Sequence, residues 1–148
     1  MSPHRFELRV YYEDTDAGGV VYFANHLRFM ERARTEWLRQ LGFGQTELRE
    51  VQGILFVVRS VHAVYHRPAR LDDALTVQSR LVGLSRLALR FEQSVERAGE
   101  MLATGGSDVI CVAAGSLRPC RMPLPLMQVL ATALDGAAAA NAPAPSVV

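Results

Sequence analysis

The sequence predicts an α+β domain in which one long helix packs against an antiparallel sheet of about five strands. Two observations lead to this prediction. Several runs alternate apolar and polar residues and are separated by short turns, so the strands are expected to pair antiparallel. A single long stretch near the N-terminus instead repeats apolar residues at steps of three and four, which is the spacing of an amphipathic helix.

The first strand is predicted between Phe6 and Glu13, where apolar side chains alternate with charged ones. The long helix follows the segment DTDAGGVVYFAN, and its apolar face is predicted to hold Leu27, Met30, Ala33, Trp37 and Leu41. Asn25 is a candidate N-cap, with a start a few residues earlier as the alternative, and Gly42 with Gly44 marks the end. The helix should have about four turns or more.

Four more strands are predicted after this helix. The stretch TELREV suits a short turn, and ILFVVRSVHAVYHRPARLDD is predicted as a long strand closed by Pro68. Two alternating runs follow, with one face formed by Leu75, Val77, Ser79 and Leu81 and then by Leu87, Leu89, Phe91, Gln93 and Val95. Ala98-Gly99 suits a hairpin turn, and DVICVAAGSLRPC is the last strand, with Met101 to Thr104 as its first half. PLPLMQVLATAL is a candidate closing helix.

Length and composition fit one folded domain. The chain has 148 residues, of which 49% are hydrophobic and 21% charged, close to the averages of globular proteins. We assign residues 1–135 to a single domain. The last segment, GAAAANAPAPSVV at residues 136–148, has too little apolar bulk to pack and is predicted to be a disordered tail.

Charge and cysteine content exclude several classes of protein. A net charge of +1 provides no global field for nucleic acid or an anionic membrane, and the absence of lysine excludes Schiff-base chemistry. Cys111 and Cys120 are too few for a disulfide framework or a four-cysteine zinc site, so a reduced compartment is expected. The N-terminus shows no apolar leader and no apolar run reaches membrane-spanning length, which predicts a cytoplasmic protein without stable membrane insertion.

The loop between the first strand and the helix carries the candidate chemistry. Asp16 precedes two glycines that let the backbone approach a ligand, and the helix N-terminus offers unpaired N–H groups that can hold charge developing on a carbonyl oxygen. A carboxylate placed there can act as general base on water or attack the carbonyl itself, and the sequence leaves both roles open. On composition alone Asp14-Thr15-Asp16 would be turn or cap residues, and for Asp14 we keep that interpretation, a loop carboxylate bonded to backbone N–H groups.

The stretch YYEDTDAGGVVYFANHLRFMERARTEW resembles the 4-hydroxybenzoyl-CoA thioesterase family, in particular its acyl-CoA thioesterase branch associated with the bacterial Tol-Pal system (YbgC type). The resemblance rests on Arg9-Val10, Thr15-Asp16, Gly19-Val20-Val21, Phe23 and Glu31-Arg32-Ala33-Arg34. It continues through FVVRSVHAVYHRPARLDD and covers nearly everything from Phe6 to about Leu130. A match in several parts with fixed spacing is more specific than one short motif.

This resemblance implies a hotdog fold, in which the sheet wraps the long helix, and an active site at a dimer interface. It implies hydrolysis of short-chain or aromatic acyl-CoA thioesters, with the catalytic aspartate of the family at Asp16. Backbone N–H groups for the oxyanion are expected at Gly19, Val20, Val21 and Tyr22. Two positions depart from the family and are kept as substrate-binding candidates: His26 stands where the family usually has tyrosine or phenylalanine, and Phe23 where the Tol-Pal branch usually has histidine.

The phosphates of coenzyme A call for a few arginines near a groove, and the candidates are Arg59, Arg67, Arg70, Arg86 and Arg90. His62 and His66 share one strand face and are interpreted as packing or hydrogen-bonded histidines. Ser85 and Ser116 lack the glycines of a G-x-S-x-G elbow, so no serine triad is predicted. We assign no metal and no cofactor.

Two other functions remain open on the same fold. A 3-hydroxyacyl thioester dehydratase would pair a histidine with a helix carboxylate, for which His26 with Glu31 or Glu36 is the candidate. The other is a non-catalytic protein that binds thioesters or acyl carrier protein, because a fold does not determine a function. One helix leaves part of the sheet uncovered and an edge exposed, so we predict a homodimer or homotetramer.

Overall fold

The computed structural model describes residues 3–134, so the predicted tail lies outside the described residues. In chain order the elements are β1 (His4–Arg9), α1 (Phe23–Gln40), α2 (Gln45–Glu50), β2 (Ile54–Tyr65), β3 (Ala74–Leu84), β4 (Ala88–Arg97), β5 (Glu100–Ala113) and α3 (Leu124–Ala133). The five strands form one antiparallel sheet in the order β1-β3-β4-β5-β2. The predicted plan of one long helix against five antiparallel strands is confirmed.

Helix α1 packs across β1, β3 and β4, and its inner face carries the buried residues His26, Phe29, Met30, Ala33, Trp37 and Leu38. The ring of Trp37 meets the ring of Phe91 edge to face, with centroids 5.1 Å apart. Such a pair adds about 0.5 to 1.5 kcal/mol to the stabilisation that comes from burying the two rings. The predicted helix residues Leu27 and Leu41 are only partly buried and lie at the margins of the core.

Two glycines of β5 let other groups approach the sheet closely on its two faces. A Cβ atom on Gly105 would lie 3.1 Å from the Met30 sulfur, so this glycine makes room for α1. A Cβ atom on Gly106 would collide with the imidazole of His62, whose ring lies over this position on the face opposite α1.

Two predicted strand ends are wrong. β1 ends at Arg9 rather than Glu13, because the residues Tyr12–Asp14 turn into a short 3-10 helix. The carboxylate of Asp14 accepts the backbone N–H of Tyr11 at 2.8 Å, and this local bond competes with further strand pairing. The last strand, β5, ends at Ala113 rather than at Cys120. β2 ends at Tyr65, just before Pro68, as predicted.

The connections predicted for the second half of the chain are confirmed. Ala98 and Gly99 close the β4–β5 hairpin with φ angles of 49° and 82°, the positive values that two-residue hairpin turns require. The stretch from Met101 to Thr104 is indeed part of the last strand, and the candidate closing helix forms α3.

The two outer strands of the sheet differ in composition. On β1 the exposed positions are Arg5, Glu7 and Arg9. On β2 four valines are exposed: Val57, Val58, Val61 and Val64. None of the helices within residues 3–134 is both long and apolar enough to cross a membrane.

Candidate active site

The segment between β1 and α1 folds into a small hairpin. Thr15 and Val21 face each other in an isolated antiparallel bridge, and the N–H of Asp16 donates to the carbonyl of Val20 at 2.9 Å. Gly19 closes the turn with a φ of 78°, which a glycine adopts without strain. The N–H of Val21 also donates to the carbonyl of Ala69 at 2.8 Å, so the hairpin is tied to the connection between β2 and β3.

The carboxylate of Asp16 is exposed on this hairpin and oriented by one bond. Its Oδ1 accepts the backbone N–H of Gly18 at 2.9 Å. Its Oδ2 has no hydrogen-bond partner within residues 3–134. A Cβ atom on Gly18 would lie 3.2 Å from Oδ1, so a glycine lets the backbone sit this close. One oxygen is therefore held in place while the other is open to water or a ligand.

The neighbouring carboxylate, Asp14, has a different environment. The residue is only 8% exposed, and its carboxylate accepts the N–H of Tyr11 while its own N–H donates back to the Tyr11 carbonyl at 3.0 Å. The interpretation of Asp14 as a loop carboxylate bonded to backbone N–H is confirmed. The two aspartates thus divide into one that holds the loop and one that is exposed on it.

Helix α1 begins at Phe23, so the N-cap is Tyr22 and not Asn25. Asn25 is the third helical residue, and its side chain turns back out of the helix, where its Nδ2 donates to the carbonyl of Asp14 at 2.9 Å. The N–H of Tyr22 donates to the same carbonyl at 3.0 Å. Asp14 is therefore bonded both to Tyr11, just after β1, and to the start of α1.

The predicted set of oxyanion donors needs correction. The N–H groups of Gly19, Val21 and Tyr22 donate to the carbonyls of Asp16, Ala69 and Asp14, so they are not available to a substrate. Across residues 3–134, no acceptor lies within bonding distance of three N–H groups in this region: Val20, Phe23 and Ala24. Phe23 and Ala24 open α1, and Tyr22 offers them no side-chain cap. Of the four predicted donors, only the N–H of Val20 stays unpaired, and the first turn of the helix offers two further unpaired N–H groups.

Aromatic rings surround this helix start. Phe23 is 57% exposed, and its ring lies 4.8 Å from that of Tyr22 and 6.0 Å from that of Tyr65, at the end of β2. His26 is 3% exposed, with its ring 5.4 Å from Tyr65 and 5.9 Å from Phe29. The structure therefore brings both departures from the family pattern together around Tyr65. No sequence pattern linked Tyr65 to this site, because the contact joins a helix to a distant strand.

Burial lowers the pKa of His26, which favours the neutral imidazole, and its Nδ1 is buried without a partner within residues 3–134. The carboxylates proposed to pair with it are engaged elsewhere: Glu31 accepts from the hydroxyl of Thr35 at 3.1 Å, and Glu36 pairs with Arg39. The histidine and carboxylate pair that a dehydratase would need is not formed.

The five candidate arginines differ in what they contact. Three are bound to protein acceptors: Arg67 pairs with Glu100, Arg90 with Asp108, and Arg86 donates to the carbonyl of Met122. The hydrogen bond from Arg90 is the main cause that lowers the pKa of Asp108, and the charge of nearby Arg59 adds to it. Arg70 is exposed, and its backbone pairs with Val20 of the hairpin. Of the five, Arg70 is the one whose backbone joins the Asp16 hairpin.

The remaining candidates have structural roles. His66 Nε2 lies 3.2 Å from the hydroxyl of Thr104, as expected for a hydrogen-bonded histidine, and His62 packs over Gly106. Cys111 and Cys120 are free thiols with their sulfur atoms 3.8 Å apart. Within residues 3–134, no three side chains of histidine, cysteine, aspartate or glutamate are grouped so that they could hold a metal ion.

The model of the thioesterase-like superfamily matches residues 10–134. The chain belongs to this superfamily. The match includes the Asp16 hairpin, α1 and all strands except β1. The arrangement of this superfamily member, with a five-stranded antiparallel sheet around a long helix, is the hotdog fold that the resemblance implied.

Several relatives are similar to this superfamily member over most of its length. The acyl-CoA thioesterase YbgC of Haemophilus influenzae is 46% identical over 118 residues, which is 80% of this chain and 87% of that protein. The acyl-CoA thioester hydrolase YbgC of Escherichia coli is 42% identical over 120 residues, 80% of this chain and 89% of that protein. The crystal structure of a probable thioesterase from Bartonella henselae superposes with a TM-score of 0.79 at 38% identity, covering 82% of this chain and 100% of that one.

Proposed function

We propose that this protein hydrolyses acyl-CoA thioesters and that Asp16 is its catalytic carboxylate. The observation that carries the proposal is the arrangement of the Asp16 hairpin. It presents one carboxylate oxygen held by Gly18 and a second that is open, on the segment that leads directly into the unpaired N–H groups of Phe23 and Ala24. The similarity to acyl-CoA thioesterases supports this choice of substrate.

The chemistry follows from these groups. A thioester carbonyl oxygen placed at the start of α1 would accept hydrogen bonds from the N–H groups of Phe23 and Ala24, which with the helix dipole stabilise the negative charge of the tetrahedral intermediate. Asp16 Oδ2 would then take a proton from the attacking water, or attack the carbonyl carbon itself and form an anhydride that water opens. In both routes the carbon–sulfur bond breaks, coenzyme A leaves as a thiolate that acquires a proton, and a free carboxylic acid remains.

The side chains around these N–H groups support two predictions, that the acyl group is short or aromatic and that an arginine binds coenzyme A. The rings of Phe23 and Tyr65 beside the N–H groups offer flat apolar surfaces for a short or aromatic acyl group. Arg70, next to the hairpin, is suited to a phosphate of coenzyme A. Acyl carrier protein as the carrier, the cytoplasmic location and the association with the Tol-Pal system stay predictions.

We further infer that the protein is a homo-oligomer that associates through β2. In the part of the chain that the structure describes, this strand pairs only with β5, and it exposes apolar side chains. Such an edge is a template for pairing with a second chain. The end of this strand carries Tyr65, so the partner would lie close to the proposed site.

The direct test is a hydrolysis screen with the purified full-length chain over acyl-CoAs of different length and aromaticity, following the released thiol with a thiol-reactive dye. We expect turnover with short-chain and aromatic acyl groups. A protein that binds these thioesters without releasing thiol from any of them would instead be the non-catalytic binding protein considered above.

A further inference from the structure

The hairpin that carries Asp16 is joined to α1 by a side chain that sequence analysis assigned to another role. Asn25 lies inside the helix, at its third residue, where asparagine is a poor helix former because its amide competes for backbone groups. Its backbone N–H donates to the carbonyl of Tyr22 at 2.8 Å, while its side chain leaves the helix and reaches back to the carbonyl of Asp14. A residue used only to build the helix would not need this second bond.

The hydrogen bond from Asn25 ends at Asp14, a residue that also accepts hydrogen bonds from Tyr22 and Tyr11. The carbonyl of Asp14 accepts from Asn25 at 2.9 Å and from the N–H of Tyr22 at 3.0 Å, while the Asp14 carboxylate accepts from Tyr11 at 2.8 Å. Asp14 is buried and two residues before Asp16. The orientation of the Asp14 peptide relative to the helix axis therefore sets where the following Thr15 and Asp16 lie.

We infer that Asn25 is a positioning residue for the hydrolysis: its amide fixes the Asp16 carboxylate relative to the N–H groups of Phe23 and Ala24. The two halves of the site sit on different elements, one on the hairpin and one on the helix, and Asn25 bonds one to the other. Catalytic groups must be held to within about 0.5 Å, and an error of about 1 Å can lower turnover by roughly 10²-fold. This inference rests on the proposed function.

The decisive variant is Asn25→Asp, which keeps the side-chain shape but removes the N–H donor and points a carboxylate at the Asp14 carbonyl. A negative charge in the first turn of a helix is favourable, so α1 itself should be as stable as before. If Asn25 only supports the helix, Asn25→Asp keeps full turnover. If it positions Asp16, kcat falls by roughly 10- to 100-fold while KM changes little.

Two more variants complete the test. Asn25→Gln retains an amide donor on a longer arm and should recover part of the kcat lost in Asn25→Asp. Gln45→Ala is the control, because it removes another hydrogen bond that a side-chain amide donates. Gln45 Nε2 donates to the hydroxyl of Thr35 at 2.9 Å near the other end of α1, so this variant should leave kcat unchanged. Melting temperature and the pH profile of kcat are measured for each.

The inference is overturned if Asn25→Asp keeps the wild-type kcat, or if Gln45→Ala loses as much kcat as Asn25→Asp. Because Asn25→Asp adds a charge near Asp16, the pH profile is compared in the uncharged Asn25→Gln, where an unchanged profile with a lower kcat is the expected result. A wild-type chain that releases no thiol from any acyl-CoA would instead contradict the proposed function, so the two failures are distinguishable.

Discussion

The Asp16 hairpin and the free edge of β2 differ in how many of their backbone groups find hydrogen-bond partners within one chain. In the hairpin, Asp14 is bonded on both sides, and the N–H groups of Gly19, Val21 and Tyr22 all find acceptors within the chain. Along β2 the outer edge has no neighbouring strand among residues 3–134, and Val58 and Val61 are 48% and 46% exposed. The difference teaches that the position of the carboxylate is set within one chain, whereas the surface beside it is the part that our proposed second chain would cover.

The first way to test this comparison is to remove the anionic oxygen from the hairpin. Asp16→Asn keeps nearly the same shape but can neither activate water nor attack the thioester. We expect kcat to fall by roughly 10²- to 10⁴-fold if the carboxylate is a general base, and by more if it is the nucleophile. Thiol release under saturating substrate measures the loss, and KM should change little.

The matched control is Asp14→Asn, whose side chain bonds the N–H of Tyr11 instead of facing solvent. This variant should lower the melting temperature, because a charge-assisted bond in a buried position becomes a neutral one. Its kcat should fall far less than that of Asp16→Asn. The reverse order of effects would move the chemistry to Asp14.

The second test places a charge on the free edge. Val61→Lys should weaken association by at least about 10-fold, because a charge on an edge strand opposes pairing with another strand. Light scattering across a dilution series measures the oligomeric state. Glu7→Lys puts the same side chain on β1, the charged edge, and should leave the oligomer intact. A wild-type chain that stays monomeric at micromolar concentration would show that β2 needs no partner.

The third test concerns the arginine beside the hairpin. Arg70→Gln should raise KM for acyl-CoA by roughly 5- to 10-fold, about the loss of one charge-assisted bond to a phosphate, and leave kcat unchanged. A thioester of N-acetylcysteamine carries no phosphate, so its KM should not respond to the substitution. Equal changes for both substrates would indicate a role in the hairpin rather than in binding coenzyme A.

The smallest expected effect is on the pH dependence of stability. It comes from His26, whose ring lies against Tyr65 between the Asp16 hairpin and β2. Burial lowers the pKa of His26 below its value in the unfolded chain, so the unfolded state binds more protons once the pH falls below about 6.5. Stability should therefore decrease as the pH falls from about 6.5 toward the lowered pKa, by at most about 1.4 kcal/mol per pH unit for one group.

Urea unfolding of the wild type and of His26→Phe at pH 5.5 and pH 7.5 measures this contribution. The substitution should reduce the difference between the two pH values without abolishing it, because burial also lowers the pKa of His4. A difference as large in His26→Phe as in the wild type would mean that this imidazole is already charged in the folded protein.

The sequence predicted which helices and strands form better than it predicted where they end or which residues they contact. Alternation and the steps of three and four are local, so the strands and α1 could be found from them, but β1 ends early because of the bond between Asp14 and Tyr11. Asp16 was reached by the resemblance to a family. Three of the four N–H groups expected around it find acceptors within the chain: those of Gly19 and Tyr22 bond locally to Asp16 and Asp14, and that of Val21 bonds to Ala69, far along the chain. The contacts of Tyr65 depend on the same kind of distant packing.

The ring of His62 over Gly106 has a consequence for how this sequence can drift over evolutionary time. A side chain at position 106 would meet the far end of the His62 imidazole, and because His62 is exposed its ring can turn away into solvent. A substitution at 106 therefore costs the contact between this ring and the sheet, and it costs least where position 62 is small. A library randomised at both positions and selected for folded protein should return alanine at 106 most often together with a small residue at 62.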